Sequence, residues 1–372
     1  MPHPTAFHTR PFFLLQAALV RGALAVGGVL LALAVAEIGY RVIDPFPYFP
    51  ESEANRTEHG NLTEYHPLLG WRGAPGGRAR FTTKNASVLL QHNAAGFRDV
   101  EPEERSPEKP AIVFLGDSFT WGYEVEFDEL FVSLLRERRE DYEFFNLSHR
   151  GYGTDQELMI FRDWRSERRL ERVVLMFAEN DVSDNNSDWR NRKPKPRFEL
   201  GEGGLRLTHV PVPEIREWDS EAESESSGSP DESSLGEWLL RSHLYRDVEF
   251  RIREIMEPGE PGETESGVED CSELDLRVTR ALLAEIRDEA EGRGGSLAVF
   301  AIPSKGELCH GEAHRPYQRC IEALCQELGI EYHDLAPALE ASWYRTYYRF
   351  GKHWTPRGNK VVADAIEEVL FR

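Results

Sequence analysis

From Ala111 onward the chain alternates short apolar runs with amphipathic stretches. Ala111–Leu115 (AIVFL) has no polar interruption, the pattern of a strand buried on both faces. A loop follows at once, then an apolar-periodic stretch, Phe127–Arg139, that predicts a helix. Glu143–Leu147 (EFFNL), Arg172–Phe177 (RVVLMF), Ser296–Ile302 (SLAVFAI) and a shorter run at Glu331–Leu335 predict four more strands. Helices are expected from about Asp155, over about Glu273–Ala290, and after Pro356. Strands alternating with helices imply a parallel sheet covered on both faces.

Three other regions have different patterns. Residues 11–40 are almost wholly apolar, with an uninterrupted core from Gly22 to Ala36. With Phe12–Val20 added and Arg21 snorkelling, this stretch is long enough to cross a membrane. Arg10 and Arg21 lie on its N-terminal side and Glu37 and Asp44 beyond its far end, so the positive-inside rule places the N-terminus in the cytoplasm and all that follows Arg41 outside. Cleavage as a signal peptide near Ala34-Val35-Ala36, and a buried soluble helix, are the rival readings. Residues 41–110 begin with a Pro-rich spacer, DPFPYFP, and continue in alternating stretches such as RARFTTKNASVLLQHN, a small β-rich lead-in. Residues 184–271 interrupt the strand–helix alternation of the domain over 111–372. Within them PRFELGEGGLRLTHVPV reads as a hairpin and Gly236–Met256 as an amphipathic helix.

Charge narrows the partners. The 372 residues carry a formal net charge of −21, which disfavours nucleic acid, whose phosphates need clustered Lys and Arg. Much of the excess is local, in about 219–234 and 257–270, where Glu, Ser, Pro and Gly predominate and disorder is expected.

In open parallel sheets, ligands bind at the carboxyl ends of the strands. The first predicted strand ends in Gly116-Asp117-Ser118-Phe119, the second in Asn146-Leu147-Ser148-His149-Arg150-Gly151-Tyr152-Gly153, and the third in Ala178-Glu179-Asn180-Asp181. Lys352-His353-Trp354-Thr355-Pro356 stands just before the last helix. A hydroxyl, a Gly-rich loop, an amide and an imidazole thus converge on one rim. Acyl transfer needs a nucleophile, a base and oxyanion donors, and all three are present. Taken singly, Ser118 also reads as a helix cap, Gly151 and above all Gly153 as positive-φ turn residues, Asn180 as a loop cap and His353 as a surface or capping residue.

GDSFTWG, NLSHRGYGTDQE, FAEND and HWTPRGN resemble the four ordered blocks of the SGNH/GDSL hydrolase superfamily. The resemblance covers Ala111–Arg372 apart from the interruption, and loosely takes in GFRD before it. It implies a three-layer α/β/α sandwich with a flavodoxin-like parallel sheet, here preceded by one membrane-spanning helix. It also implies Ser118 as nucleophile and His353 as general base, with an oxyanion hole from the Ser118 N–H, the Gly151 N–H and the Asn180 amide. Asp117 is expected to shape the turn; His149 and Arg150 are possible pocket residues. The family usually carries Asp two or three residues before the catalytic His, where this chain has Gly351 and Phe350. A Ser–His pair without a carboxylate partner is therefore expected.

Cys271, Cys309, Cys320 and Cys325 form no C-x-x-C pair, and CHGEAHRPYQRC matches no zinc spacing, so neither metal nor cofactor is expected. Cys271 and Cys309 are expected to pair across the carboxyl rim. The function these residues support is serine-dependent hydrolysis of an acylated small molecule or carbohydrate. O-acetyl transfer to an exported polysaccharide and an inactive carbohydrate-binding domain are the alternatives.

Overall fold

The computed structural model describes residues 10–43, 56–58, 61–214, 242–245, 248, 271, 275–310 and 316–371. The chain forms two compact units, residues 1–48 with 228–259, and residues 49–227 with 260–372. In the first, one helix, α1, spans Arg10–Ile43. Its Ala18–Val42 stretch has 25 residues at a mean hydropathy of 2.2 with none of its most apolar part buried, long and apolar enough for a membrane anchor or a signal sequence. Towards its end the Glu37 carboxylate accepts hydrogen bonds from the Ser242 hydroxyl at 2.8 Å and the His243 and Leu244 N–H groups at 3.1 and 2.9 Å. Of the amphipathic helix expected over Gly236–Met256, residues 243–245 and 248 are described and helical. The acidic stretches at 219–234 and 257–270 lie outside the described residues.

The second unit opens with the lead-in. Strands β1 (Arg56–Glu58), β4 (Arg78–Thr82) and β5 (Ser87–Gln91) form an antiparallel sheet, and β2 (Thr63–His66) pairs with β3 (Gly70–Gly73). The central sheet follows, with β6 (Ala111–Gly116), β7 (Glu143–Asn146), β8 (Leu170–Phe177), β13 (Ser296–Ala301) and β14 (Glu331–Asp334). All its pairings are parallel, in the spatial order β14-β13-β8-β6-β7. Counted within the sheet this is the flavodoxin-like order, reversing beside the first strand. Period-2 alternation divides the strands between two cores. Val113, Leu115, Val173, Leu175, Phe177 and Val299 face helices α4 (Thr154–Asp163), Arg277–Gly292 and Pro316–Leu328. Ile112, Phe114, Val174, Met176 and Phe300 face α3 (Phe131–Arg138) and the C-terminal helix Pro356–Leu370. The expected hairpin in the interruption is β11 (Arg197–Gly201) with β12 (Gly204–Thr208), preceded by a two-residue pairing of β9 (Trp189–Arg190) with β10 (Lys193–Pro194).

The cysteine expectation is overturned: Cys271 is bonded to Cys320, not Cys309. Helices Arg277–Gly292 and Pro316–Leu328 each precede a parallel strand, so both start at the carboxyl rim, and both lie in the same core layer. Cys271 lies shortly before the first helix and Cys320 early in the second, with Cα atoms 5.4 Å apart. Helix Lys305–His310, which holds Cys309, packs its Leu308 into the opposite layer.

Candidate active site

Ser118 leaves β6 at the point where the strand order reverses, between β7 and β8. It is the first residue of α2 (Ser118–Trp121), a single turn capped by Asp117, whose carboxylate accepts the Phe119 N–H at 2.9 Å. Ser118 therefore does no capping, and Asp117 shapes the turn as expected. Gly116 is required because a Cβ there would stand 2.1 Å from Thr120 Oγ1. The Ser118 hydroxyl is free to point outward, and its Oγ lies 2.8 Å from His353 Nε2. A hydroxyl bonded to a neutral imidazole is the arrangement that activates oxygen nucleophiles.

His353 is delivered by the loop before the last helix. Thr355 caps that helix, accepting the Gly358 N–H at 3.1 Å, with Pro356 at the first helical position. The imidazole packs on the rings of Tyr123 and Phe119, with centroids 4.3 and 5.1 Å away. Burial, helped by the Lys352 charge, holds its pKa down to about 3, so it is neutral at physiological pH and able to accept a proton.

The Gly-rich loop is braced by the lead-in. Tyr152 donates its hydroxyl to the Trp71 carbonyl at 2.8 Å, Trp71 Nε1 donates to the Arg150 carbonyl at 3.2 Å, and Gln156 donates to the Leu69 carbonyl at 2.8 Å. Gly151 has φ 76°, the left-handed region that favours glycine. Gly153, expected to hold the positive φ, is extended at φ −101° and caps α4. Its reason for being glycine is crowding, with a Cβ 3.0 Å from Asp184 Cβ. Asn180 begins α5 (Asn180–Asn185), and its amide donates to Asp184 Oδ2 at 2.9 Å. Asp184 also pairs with Arg190 at 3.0 Å. Arg150 is half-buried at the edge of this loop, while His149 is buried among the rings of His92, Trp121 and Tyr152.

Neither Gly351 nor Phe350 supplies an acid. The left-handed φ of Gly351, 83°, favours the glycine found there, and the Phe350 backbone is bonded at both its N–H and carbonyl to the Asn85 side chain. As expected, no Asp or Glu oxygen lies within hydrogen-bond reach of His353 Nδ1 among the described residues. Glu124 Oε2 stands 3.7 Å from His353 Nδ1, beyond hydrogen-bond reach but at ion-pair distance.

Two buried charge systems underlie the rim. Lys195, from the interruption, is fully buried and donates to Asp155 Oδ2 and to the carbonyls of Asp184, Ser187 and Pro196. Beside it Glu157 is buried with neither carboxylate oxygen hydrogen-bonded among the described residues. Burial, then the charges of Asp181, Asp117, Asp155 and Asp184, raise its pKa well above the usual carboxylate value. A raised native pKa means stability is greatest below the unfolded-state pKa and falls as pH climbs towards the native one. Glu157→Gln, which keeps the shape and removes the ionisation, is expected to raise Tm relative to the wild type, with a gap that widens from pH 5 to pH 8. A pH-independent gap in thermal melts would contradict this.

Nothing read from the sequence singled out Glu124, Asn85 or Lys195. Glu124 was legible in principle, six residues after Ser118 and just past the one-turn helix that Gly122 closes. Lys195 lies in an interruption whose packing no periodicity reveals.

The model of the GDSL-like Lipase/Acylhydrolase family matches residues 114–361. Among solved structures, a lipolytic protein of the G-D-S-L family from Veillonella parvula shares 14% identity over 70% of this chain and 98% of its own, at a TM-score of 0.39. A putative lipolytic protein of the G-D-S-L family from Desulfitobacterium hafniense shares 12% over 70% and 100%, at 0.38. The acetyl xylan esterase AlAXEase shares 12% over 70% and 100%, at 0.39. No curated protein matches the chain at a significant level. The family match runs from the end of β6 through the Ser118 turn, the Gly-rich loop and the His353 loop, and by it this chain belongs to the GDSL-like lipase/acylhydrolase family of esterases.

Proposed function

We propose that the protein hydrolyses carboxylic esters through an acyl-enzyme on Ser118. The observation that carries this reading is the 2.8 Å contact between Ser118 Oγ and His353 Nε2 at the carboxyl end of the sheet. Ser118 Oγ adds to the acyl carbonyl while its proton passes to His353 Nε2. The N–H groups of Ser118 and Gly151 and the Asn180 amide hold the oxyanion, Asp184 fixing the orientation of that amide. His353 returns the proton to the departing alkoxide, and water then repeats the sequence on the acyl-enzyme. A sugar hydroxyl in place of that water gives O-acetyl transfer, a reading favoured by the apolar α1 if it tethers the domain beside an exported polysaccharide. An inactive carbohydrate-binding domain is opposed by the same Ser–His hydrogen bond. Labelling with a fluorophosphonate tests the reading: a covalent adduct on the Ser118 peptide supports it, and an unlabelled, folded protein refutes it. Turnover of esters of graded chain length, with and without polysaccharide acceptors, separates hydrolysis from transfer.

We further propose that the catalytic unit lies outside the cytoplasm, with α1 as its anchor and an acylated carbohydrate or small molecule as substrate. The flanking charges of α1 support this orientation, and the Cys271–Cys320 disulfide suits an oxidising compartment. Protease added to intact spheroplasts is expected to digest the domain. Protection until lysis would reverse the orientation.

A further inference from the structure

We propose that Glu124 is the acid that orients His353, replacing the Asp that the motif lacks, and that the lead-in residue Asn85 holds it in place. This inference rests on the acyl-enzyme reading above.

Position is the first support. Glu124 Oε2 is 3.7 Å from His353 Nδ1, the ring nitrogen opposite the one bonded to Ser118. Acid, base and nucleophile thus form a line through the imidazole. The second support is an unmet need. Glu124 is 3% exposed, and its Oε2 is buried with no hydrogen-bond partner among the described residues. A buried acceptor left unpaired forfeits its hydration with nothing in return. Closing the gap to Nδ1 by under an ångström satisfies that oxygen and fixes the tautomer that leaves Nε2 free to accept the Ser118 proton. Catalytic hydrogen bonds are often long in unliganded sites and tighten with substrate bound.

The surroundings hold Glu124 where it is. Its φ of 68° lies in the left-handed region, uncommon for a residue with a side chain and a conformation that persists only when neighbours enforce it. Here they do. The Tyr348 hydroxyl donates to the Glu124 carbonyl at 2.9 Å, and the buried Arg98 guanidinium, from GFRD, donates to the carbonyls of Trp121, Gly122 and Val125 on either side. Asn85, in the turn between β4 and β5, donates to Glu124 Oε1 at 2.9 Å and also bonds the Phe350 backbone three residues before His353. One side chain of the lead-in therefore sets both the acid and the loop that carries the base. Fixing Oε1 on Asn85 leaves Oε2 for the imidazole.

The role is one of positioning and charge: Glu124 acts through His353 and touches no substrate. Lys352, whose charge opposes imidazolium, the Tyr123 ring and the Tyr348 hydroxyl also border the pair among the described residues. Burial raises the Glu124 pKa, opposed by the side chains of Thr83 and Asn85; above that pKa its charge offsets Lys352 and favours the imidazolium formed during attack.

The test compares wild type, Glu124→Gln, Glu124→Asp and Asn85→Ala in the full-length protein, using an ester that the wild type hydrolyses. Glu124→Gln is expected to lower kcat by about 10²- to 10⁴-fold with KM changed by less than about threefold, in line with loss of the acid in serine proteases. The acid limb of its kcat/KM profile should move to lower pH, because the variant lacks the carboxylate whose pKa burial raises, and whose protonation costs the wild type its acid as pH falls. Glu124→Asp should recover part of kcat and return the limb towards the wild-type position, and Asn85→Ala should reproduce a smaller loss. Wild-type activity in Glu124→Gln overturns the proposal, as does a fall in kcat with the acid limb unmoved and no recovery in Glu124→Asp. If Glu124→Gln fails to fold, the crystal structure of the phosphonylated wild type decides. Glu124 Oε2 within about 3.2 Å of Nδ1 supports the role, and a separation above 3.5 Å, or another acceptor on Nδ1, removes it. A wild type that neither labels at Ser118 nor turns over esters sinks the acyl-enzyme reading itself, a failure distinct from all of these.

Discussion

Ser118→Ala is expected to abolish ester turnover and fluorophosphonate labelling while leaving the melting temperature unchanged. The two halves of this expectation have separate causes. Removing the nucleophile of a hydrolytic triad costs about 10⁶ in turnover in a well-studied serine protease, because base and oxyanion donors then have nothing to activate. Stability should hold because the cap of α2 comes from Asp117, and Ser118 spends its hydroxyl on His353 alone among the described residues. Its loss should stay within about 0.5 kcal/mol, as for substitutions away from structural features. Steady-state hydrolysis and thermal melts of the two proteins side by side check both halves. Residual activity within tenfold of wild type, only about 1.4 kcal/mol of barrier, would remove Ser118 from the chemistry.

The largest effect on stability is expected from Lys195→Met. Lys195 and Asp155 are both fully buried, and the ammonium also serves three backbone carbonyls that hold residues 184–196 against α4. Deleting the cation strands a carboxylate whose burial already raises its pKa. Breaking a buried pair from one side costs about 3–5 kcal/mol. The double variant Lys195→Met with Asp155→Leu should recover much of that, since no buried charge is left unpaired. Denaturant unfolding of the three proteins measures it, and a single-variant loss below about 1 kcal/mol would show that the pair contributes little. Activity should fall as well, because Arg190 and Asn191, on the segment that Lys195 anchors, lie against Gly151.

Much of this was written in the local sequence. Strands β6, β8 and β13 were legible because apolar runs such as AIVFL, VVLMF and LAVFAI between helical periods have few other uses, while β7 and β14 are shorter and carry polar residues. The positions of Ser118, Asn180 and His353 were legible because each stands just after a strand or just before a helix, with Gly151 in the loop after β7, and parallel sheets gather such positions on one rim. The hairpin at β11 and β12 followed from alternation around a glycine turn. Helix boundaries were less exact: Phe127–Glu129 is a separate 3-10 turn before α3, as Leu130 adopts an extended conformation between them.

Tertiary structure alone decided three things. Cys271 meets Cys320 because two helices share a layer, a matter of which face each crossover takes. Glu124 meets His353 because Asn85 of the lead-in, Arg98 and Tyr348 converge on one loop from segments up to 265 residues apart. Lys195 meets Asp155 because a surface excursion folds back under the Gly-rich loop. Periodicity reports which face of an element is buried, so it determined the sheet and its rim. It carries no information on which buried polar groups find each other, because those pairings depend on distances set by the whole packed fold.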